Sequence, residues 1–515
     1  MKIRYLLLLS ALGSLPARAQ TAAPAADPYR PVYHFAPPRN WLNDANGLVF
    51  SNGVYHLFYQ HNPLSAAPGH LAWGHATSPD LLRWTNLPVA LSEYRNPDGS
   101  NTMIFSGSAV VDANNDSGLF APGQTDGLVA FYTGHVEKNG ATLAQHQNLA
   151  FSPDQGLSWT RYAGNPVLDI GSKEFRDPKV FWYAPQRKWV MACVKADRQQ
   201  IYLYQSANLR DWQFMSRWGR AGDTVKEWEC PDLFELPVPG GGTKWMLLIS
   251  SGNPTEQFRG QQYFLGQFDG QQFTPDQPYE EPAYLDFGKD YFAAVTFNNA
   301  PANRRLLVGW TNDWAYARDI PTGDAWRGSF AVPRELSLRA TAAGLVLVQQ
   351  PLAELGTLGK EAVSLKNQSL KAGAADYELP FRGESYDLEL TLEPGKAQTL
   401  TLNLLQSEAE RTTLRYDVAR QLLTLDRRES GRVDFHPLFA LTTETARVPL
   451  QNGQLRLRLL VDKSVVEVFA QDGETTLTDL VFPRQHQGRI TLQAAGGPAR
   501  IARLSLRDLS QPLAP

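Results

Sequence analysis

Ser78-Pro79-Asp80-Leu81-Leu82-Arg83-Trp84 returns as Ser152-Pro153-Asp154 running on to Trp159, and again as Ser206-Ala207-Asn208-Leu209-Arg210-Asp211-Trp212. In each copy a strand-like run ends on Ser-x-Asp or Ser-x-Asn, and a Trp closes the turn. Phe268-Asp269-Gly270-Gln271-Gln272-Phe273 is a worn fourth copy. Ser, Asp and Asn suit such points because their side chains bond back to nearby backbone. The copies lie farther apart than the ~40–50 residues of common blade repeats, which leaves room for four strands with long loops. A fifth unit fits before residue 340, around Leu306-Leu307-Val308-Gly309-Trp310.

Outward from this repeat, helical periodicity is scarce. Short alternating or apolar runs, such as Val54-Tyr55-His56-Leu57-Phe58-Tyr59 and Trp245-Met246-Leu247-Leu248-Ile249, are broken by Gly, Pro, Asn and Asp. This is the pattern of strands and turns. Radial repetition is one way for an all-β chain to protect its strand edges. The expected fold is therefore all-β: a five-bladed β-propeller over 28–345, a linker over 346–360 and a C-terminal β-sandwich over 361–515. The last part is read from alternating strands such as SYDLELTLEP from Ser385 and LRLRLLVDKSVVEVFA from Leu455, and it carries no catalytic-looking cluster.

A chain of 515 residues exceeds one ordinary core, in keeping with two domains. Its net charge of −3 leaves no footprint for nucleic acid, and no basic amphipathic stretch would hold a membrane. Residues 1–19 read as a secretory signal, with Lys2 and Arg4, an apolar run from Tyr5 to Leu15, and Ala17-Arg18-Ala19 as cleavage site. A secreted or periplasmic protein is expected. Cys193 and Cys230 allow one disulfide, but Cys230 lies inside the sharpest motif of the chain, where a cross-link would crowd a working pocket.

Three motifs place acids among turn residues: Trp41-Leu42-Asn43-Asp44-Ala45-Asn46-Gly47, Phe175-Arg176-Asp177-Pro178, and Glu227-Trp228-Glu229-Cys230-Pro231-Asp232-Leu233-Phe234-Glu235-Leu236-Pro237. Each alone reads as a polar turn or a solvated pair. Glu229 is wedged between Trp228 and Cys230, and apolar neighbours raise a carboxyl pKa, as a general acid requires. In the repeat reading Asp44, Asp177 and Glu229 fall in different units, so radial symmetry carries all three towards one channel. Convergent acids in different environments suit glycoside hydrolysis.

WLNDANG, FRDP and EWECPDLFELP resemble the three signatures of glycoside hydrolase family 32, the invertase, inulinase and levanase group. YHLFYQHNP, WGHATSPDLLRW, IFSGSAVVD, DFGKDYFAAVTF and WTNDWAYARDIPTGDAWRGSFAVPREL resemble that family in its order, and LLVDKSVVEVFA with TDLVFP resembles its C-terminal sandwich. The resemblance covers roughly residues 30–515. It implies a five-bladed propeller followed by a sandwich, and a retaining enzyme that releases terminal fructose from levan, inulin or sucrose. By that resemblance Asp44 is the nucleophile, Glu229 the acid/base and Asp177 the transition-state stabiliser; the neighbouring charge of Arg176 is expected to keep Asp177 ionised. Asn43, Gln60, Trp73, Ser106 and Arg176 match positions that hold the terminal fructosyl unit. Asp286 and Lys289 resemble a substrate-binding stretch, and Trp314 lies where the family builds the wall for the rest of the substrate.

No metal or other cofactor is implied, and no nucleic-acid or membrane partner. The family usually has Pro where this chain has Ala45, so the turn bearing Asp44 is expected to be less rigid. A fructosyltransferase, an endo-fructanase, an inverting arabinanase-like glycosidase and a non-catalytic fructan-binding protein are the competing readings. Linkage preference and oligomeric state are not legible.

Overall fold

The computed structural model describes residues 27–511 and 513, apart from 226, 252–259, 280, 342–343 and 374. The expected signal segment 1–19 lies outside the described residues. Among these residues the regular structure is all β apart from four short 3-10 turns.

Residues 40–351 form five successive sheets whose main pairings are antiparallel. The inner strand of each is Asn40–Ser51, Asn101–Val111, Phe175–Tyr183, Trp228–Pro237 and Phe292–Thr296. These five pack against one another in sequence, and the fifth packs against the first, closing a ring. The short strand Trp326–Arg327, from the last unit, pairs with the first inner strand and ties the ends together.

The sequence repeat is the turn from the third to the fourth strand of a sheet. Ser78 Oγ donates to Asp80 Oδ1 at 3.1 Å, Ser152 Oγ to Asp154 at 2.8 Å, and Ser206 Oγ to Asn208 at 3.2 Å. The closing indoles of Trp84, Trp159 and Trp212 donate to the carbonyls of Leu81, Gly156 and Leu209. All three acceptors take the left-handed conformation, at φ of 66°, 81° and 62°. In the worn copy Asp269 Oδ1 accepts from the amides of Gln271 and Gln272.

Residues 346–351 do not begin a linker. Gly344–Pro351 is an edge strand of the fifth sheet, with Leu347 and Val348 buried. Leu347 and Val348 point to opposite faces of this strand, and both are covered where it pairs with Arg334–Thr341. The connection proper contains the 3-10 turn Ala353–Thr357. Beyond it two six-stranded sheets face each other across one core, which includes Leu388, Leu390, Leu402, Leu404, Leu459, Ile490, Leu492 and Leu504.

The two halves are joined by buried charge. Arg334, wholly buried, donates to Asp286 Oδ2 at 2.9 Å, Glu467 Oε2 at 2.7 Å and Thr478 Oγ1 at 2.6 Å. His34 bridges Glu467 and Asp462, each at 3.0 Å. Burial opposes charge on this imidazole, but its two carboxylate partners prevail and raise its pKa to about 9. Asp286 and Lys289, expected to touch substrate, belong to this junction. Asp286 is held by Arg334 and Thr478, and Lys289 Nζ donates to the Leu438 carbonyl across the interface. Both side chains are buried.

Removing one partner of a buried charge network strands the others, at a cost of about 3–5 kcal/mol. Arg334→Ala is therefore expected to lower the melting temperature by several degrees, read by calorimetry. An unchanged transition would show that the junction contributes little.

Candidate active site

The five inner strands share a defect. Each loses register with its neighbour early in its course, between Leu42 and Ala45, Ile104 and Gly107, Arg176 and Lys179, Glu229 and Asp232, and Phe292 and Val295. A bulge bends the strand and re-aims a side chain. Asp44, Ser106, Asp177 and Cys230 all lie in these bulges, so they meet at one mouth of the ring. Asp177 and Cys230 are left-handed at φ of 61° and 48°, a conformation costing about 1–2 kcal/mol for residues with a Cβ. Pro follows each of them. It has no N–H to lose from a broken ladder.

The carboxyls hold one another through neighbours. Asp44 Oδ2 accepts from Ser106 Oγ at 2.6 Å and lies 3.6 Å from Cys230 Sγ, while Asp44 Oδ1 accepts from Asn43 Nδ2 at 3.0 Å. Asn43 is itself fixed by the Trp41 indole at 2.7 Å. Asp177 Oδ2 accepts from the Cys230 amide at 2.9 Å, and its own amide donates to Thr133 Oγ1. Arg176 donates to Glu229 Oε1 at 3.3 Å and pairs with Glu174. A cavity beneath is lined by Ala45, Ser106, Asp177 and Cys230, and by Lys179 and Thr296 deeper down.

Burial raises all three acids, and for Asp177 and Glu229 the neighbouring carboxyls add to it. Glu229 reaches about 7: burial raises it, Arg176 opposes, and Asp177 and Asp44 add to the rise. Asp177 reaches about 6, so burial outweighs the pull of Arg176, contrary to the simple expectation for an Arg–Asp neighbour pair. Asp44 is raised by burial, with the Ser106, Asn43 and Cys230 hydrogen bonds acting against the rise. These bonds hold Asp44 although Ala45 gives its turn no fixed φ. Both cysteines are buried free thiols.

Gln60 is buried on the second strand and, with the Asn46 amide turned, donates to its oxygen at 3.0 Å. Trp73 is wholly buried, its indole donating to the Phe105 carbonyl at 3.0 Å, so it supports the Ser106 bulge from behind. Trp314 stacks on Trp41 at 5.9 Å and stays partly exposed. Sequence reading missed Gln145, Thr133 and Glu174, which hold Arg176 or the Asp177 backbone. Ordinary polar residues give no motif: Gln145 and Thr133 reach the site from the neighbouring sheet, and Glu174 stands two residues before Arg176.

Comparison with known proteins adds a family. Residues 34–351 match the model for the glycosyl hydrolases family 32 N-terminal domain, and residues 354–508 that for the family 32 C terminal. The chain is 42% identical to a levanase of Bacillus subtilis over 492 residues, covering 94% of this chain and 71% of that protein. It is 38% identical over 511 residues to an extracellular exo-inulinase of Aspergillus niger, covering 94% and 95%. The crystal structure of an exo-inulinase from Aspergillus awamori superposes with a TM-score of 0.88 at 36% identity, covering 95% and 99%.

A carboxyl raised from 4.5 to about 7 keeps its proton longer in the folded chain than in the unfolded one. Stability therefore falls as pH rises through that window. Glu229→Gln removes this penalty. It is expected to melt about 2–4 °C above the parent at pH 8, with the gap closing towards pH 4.5. Equal melting curves at both pH values would refute a strained carboxyl.

Proposed function

The chain belongs to glycosyl hydrolase family 32 and is a β-fructosidase of fructan or sucrose, and from that premise we propose that it is an exported, retaining exo-hydrolase built on a five-bladed propeller with a supporting sandwich. The observation that carries this reading is the meeting of Asp44, Asp177 and Glu229, from three different sheets, at one mouth of the ring.

The bond to break lies at C2 of a ketose, and the transition state resembles an oxocarbenium ion. Glu229, raised to about 7 because burial outweighs Arg176 and so still protonated in a large share of molecules near neutral pH, gives its proton to the leaving oxygen. Asp44 attacks C2 and forms a fructosyl-enzyme. Water deprotonated by the now ionised Glu229 then releases fructose with configuration retained. Retention needs the two carboxyls about 5–5.5 Å apart. The 3.6 Å approach of Cys230 Sγ to Asp44 supports such closeness, since Cys230 directly follows Glu229. Asp177, clamped by the Cys230 amide, stabilises the positive ring through its hydroxyls.

Asn43, Ser106 and Arg176 would place the terminal fructosyl unit as well as the acids they already hold. Gln60 keeps an unpartnered Oε1 for a hydroxyl, and Trp314 offers a partly exposed ring to the rest of the substrate. Export with cleavage after Ala19 would bring the enzyme to polymers too large to enter a cell.

Early samples from levan and inulin are expected to contain free fructose alone. A ladder of oligosaccharides would instead make the enzyme endo-acting or a transferase. Glu229→Gln is expected to lower turnover at least ~100-fold, and the parent's rate should fall as pH rises past about 7. Retained hydrolysis in the variant would remove Glu229 from the role of acid.

A further inference from the structure

The catalytic mouth uses one end of the ring, and the other end is also open. All five inner strands run the same way, with their bulges early and their last residues at the far mouth. Five or six residues at ~3.3 Å each put that mouth roughly 16–20 Å below the acids. Lys179 lies between, its Nζ donating to Asp232 Oδ2 at 3.1 Å and to the Thr296 carbonyl at 2.6 Å, a buried plug that separates the two ends. Below it opens a cavity of about 430 Å³ lined by Trp182, Trp189, Phe234, Glu235, Asn299 and Arg305, among others.

Two features of this cavity call for a ligand. Trp182 is 38% exposed, unusual for the largest apolar side chain. It is held edge-on against Trp189, at 5.0 Å and 64°, and Trp189 is anchored by its indole to Asp116 Oδ2 at 2.9 Å. The exposed ring is thus a fixed platform. Arg305 lies with its guanidinium 4.9 Å from the centre of the Phe234 ring, and its buried Nε has no hydrogen-bond partner. Asn114, Asn299 and Glu235 stand exposed around it.

We propose that this far mouth is a second, non-catalytic binding site for an oligosaccharide, with a sugar face stacked on Trp182 and hydroxyls received by Arg305 and the surrounding amides and carboxylate. A rigid aromatic face answers the C–H face of a sugar, and the planar guanidinium supplies several fixed donors. Among the described residues that line the cavity Glu235 is the one acid, short of the facing pair that hydrolysis needs, so the site holds chain and does not cut it. On a fructan it would keep the polymer on the protein while an end is trimmed above, which rests on the fructosidase reading; the binding itself does not.

The test uses the full chain carrying Glu229→Gln, so that binding is read without turnover. Calorimetric titration with inulin-type and levan-type oligosaccharides is expected to show two sites per chain, and adding Trp182→Ala should abolish one. In the otherwise native enzyme Trp182→Ala should leave sucrose kcat/KM unchanged and raise KM for the polymer several-fold, with Trp182→Phe restoring much of it. Because Trp182 is partly exposed, a melting curve matching the parent will show that the variant folds. A single site in the parent, or a second site indifferent to Trp182, overturns the proposal. Binding of inorganic phosphate that needs Arg305, with no second sugar site, overturns it in favour of an anion site. Two binding events with no hydrolysis of any fructan by the native enzyme would sink the fructosidase reading and leave this one standing.

Discussion

The constraint on which the rest depends is the loss of register in the inner strands. A regular strand at the centre of a ring would turn alternate side chains towards and away from the axis and offer no cluster at its mouth. A bulge at the same early position in five strands breaks that alternation once per sheet. It brings an acid, a serine, a second acid and a cysteine within reach of one another, with Glu229 at the brink of the fourth bulge. The unfavourable backbone of Asp177 and Cys230 follows from the same demand. Strain of this kind persists only where the surrounding structure over-determines it, and here closed sheets surround it on all sides.

Crowding follows from that convergence. Three carboxyls and one guanidinium share one pocket, and burial is the largest influence on each acid. Local bonds then separate them. Asp44 has three donors, Asp177 a backbone amide, and Glu229 only the guanidinium that it shares with Glu174. The two acids with a single donor each, Asp177 and Glu229, are the ones raised to about 6 and about 7. Different chemistry from the same functional group is thus set by the hydrogen bonds that each bulge can reach.

The second half of the chain serves this geometry indirectly. The Arg334 and His34 networks clamp the fifth sheet and the N-terminal approach to the ring onto the strands that carry Asp462, Glu467 and Thr478. A parallel cluster joins Asp290 to Tyr316 and Arg427. Charges in such places are poor sources of net stability, but they tolerate few alternative arrangements. They fix how the last sheet of the ring sits, and with it the tilted Trp310–Trp314 pair beside the catalytic mouth.

Local pattern and local chemistry were enough for a sequence to announce strands, turns and acids. Ser78, Ser152 and Ser206 declared their turns because the bonds they make are to residues two positions away. WLNDANG, FRDP and the Glu229 motif declared the acids because their turn chemistry is contiguous. Asp286 and Lys289 misled for the opposite reason: their junction partners lie from 48 residues away at Arg334 to 192 at Thr478, so nothing beside them marks an interface. Residues 346–351 were misjudged because an edge strand before a turn looks like the turn's beginning. The sequence by itself determined which groups exist and which way each short strand faces, since those depend on neighbours along the chain. Only the tertiary structure decided which acids share a pocket, what each hydrogen-bonds and how far burial lifts its pKa, because desolvation and pairing depend on atoms from other sheets.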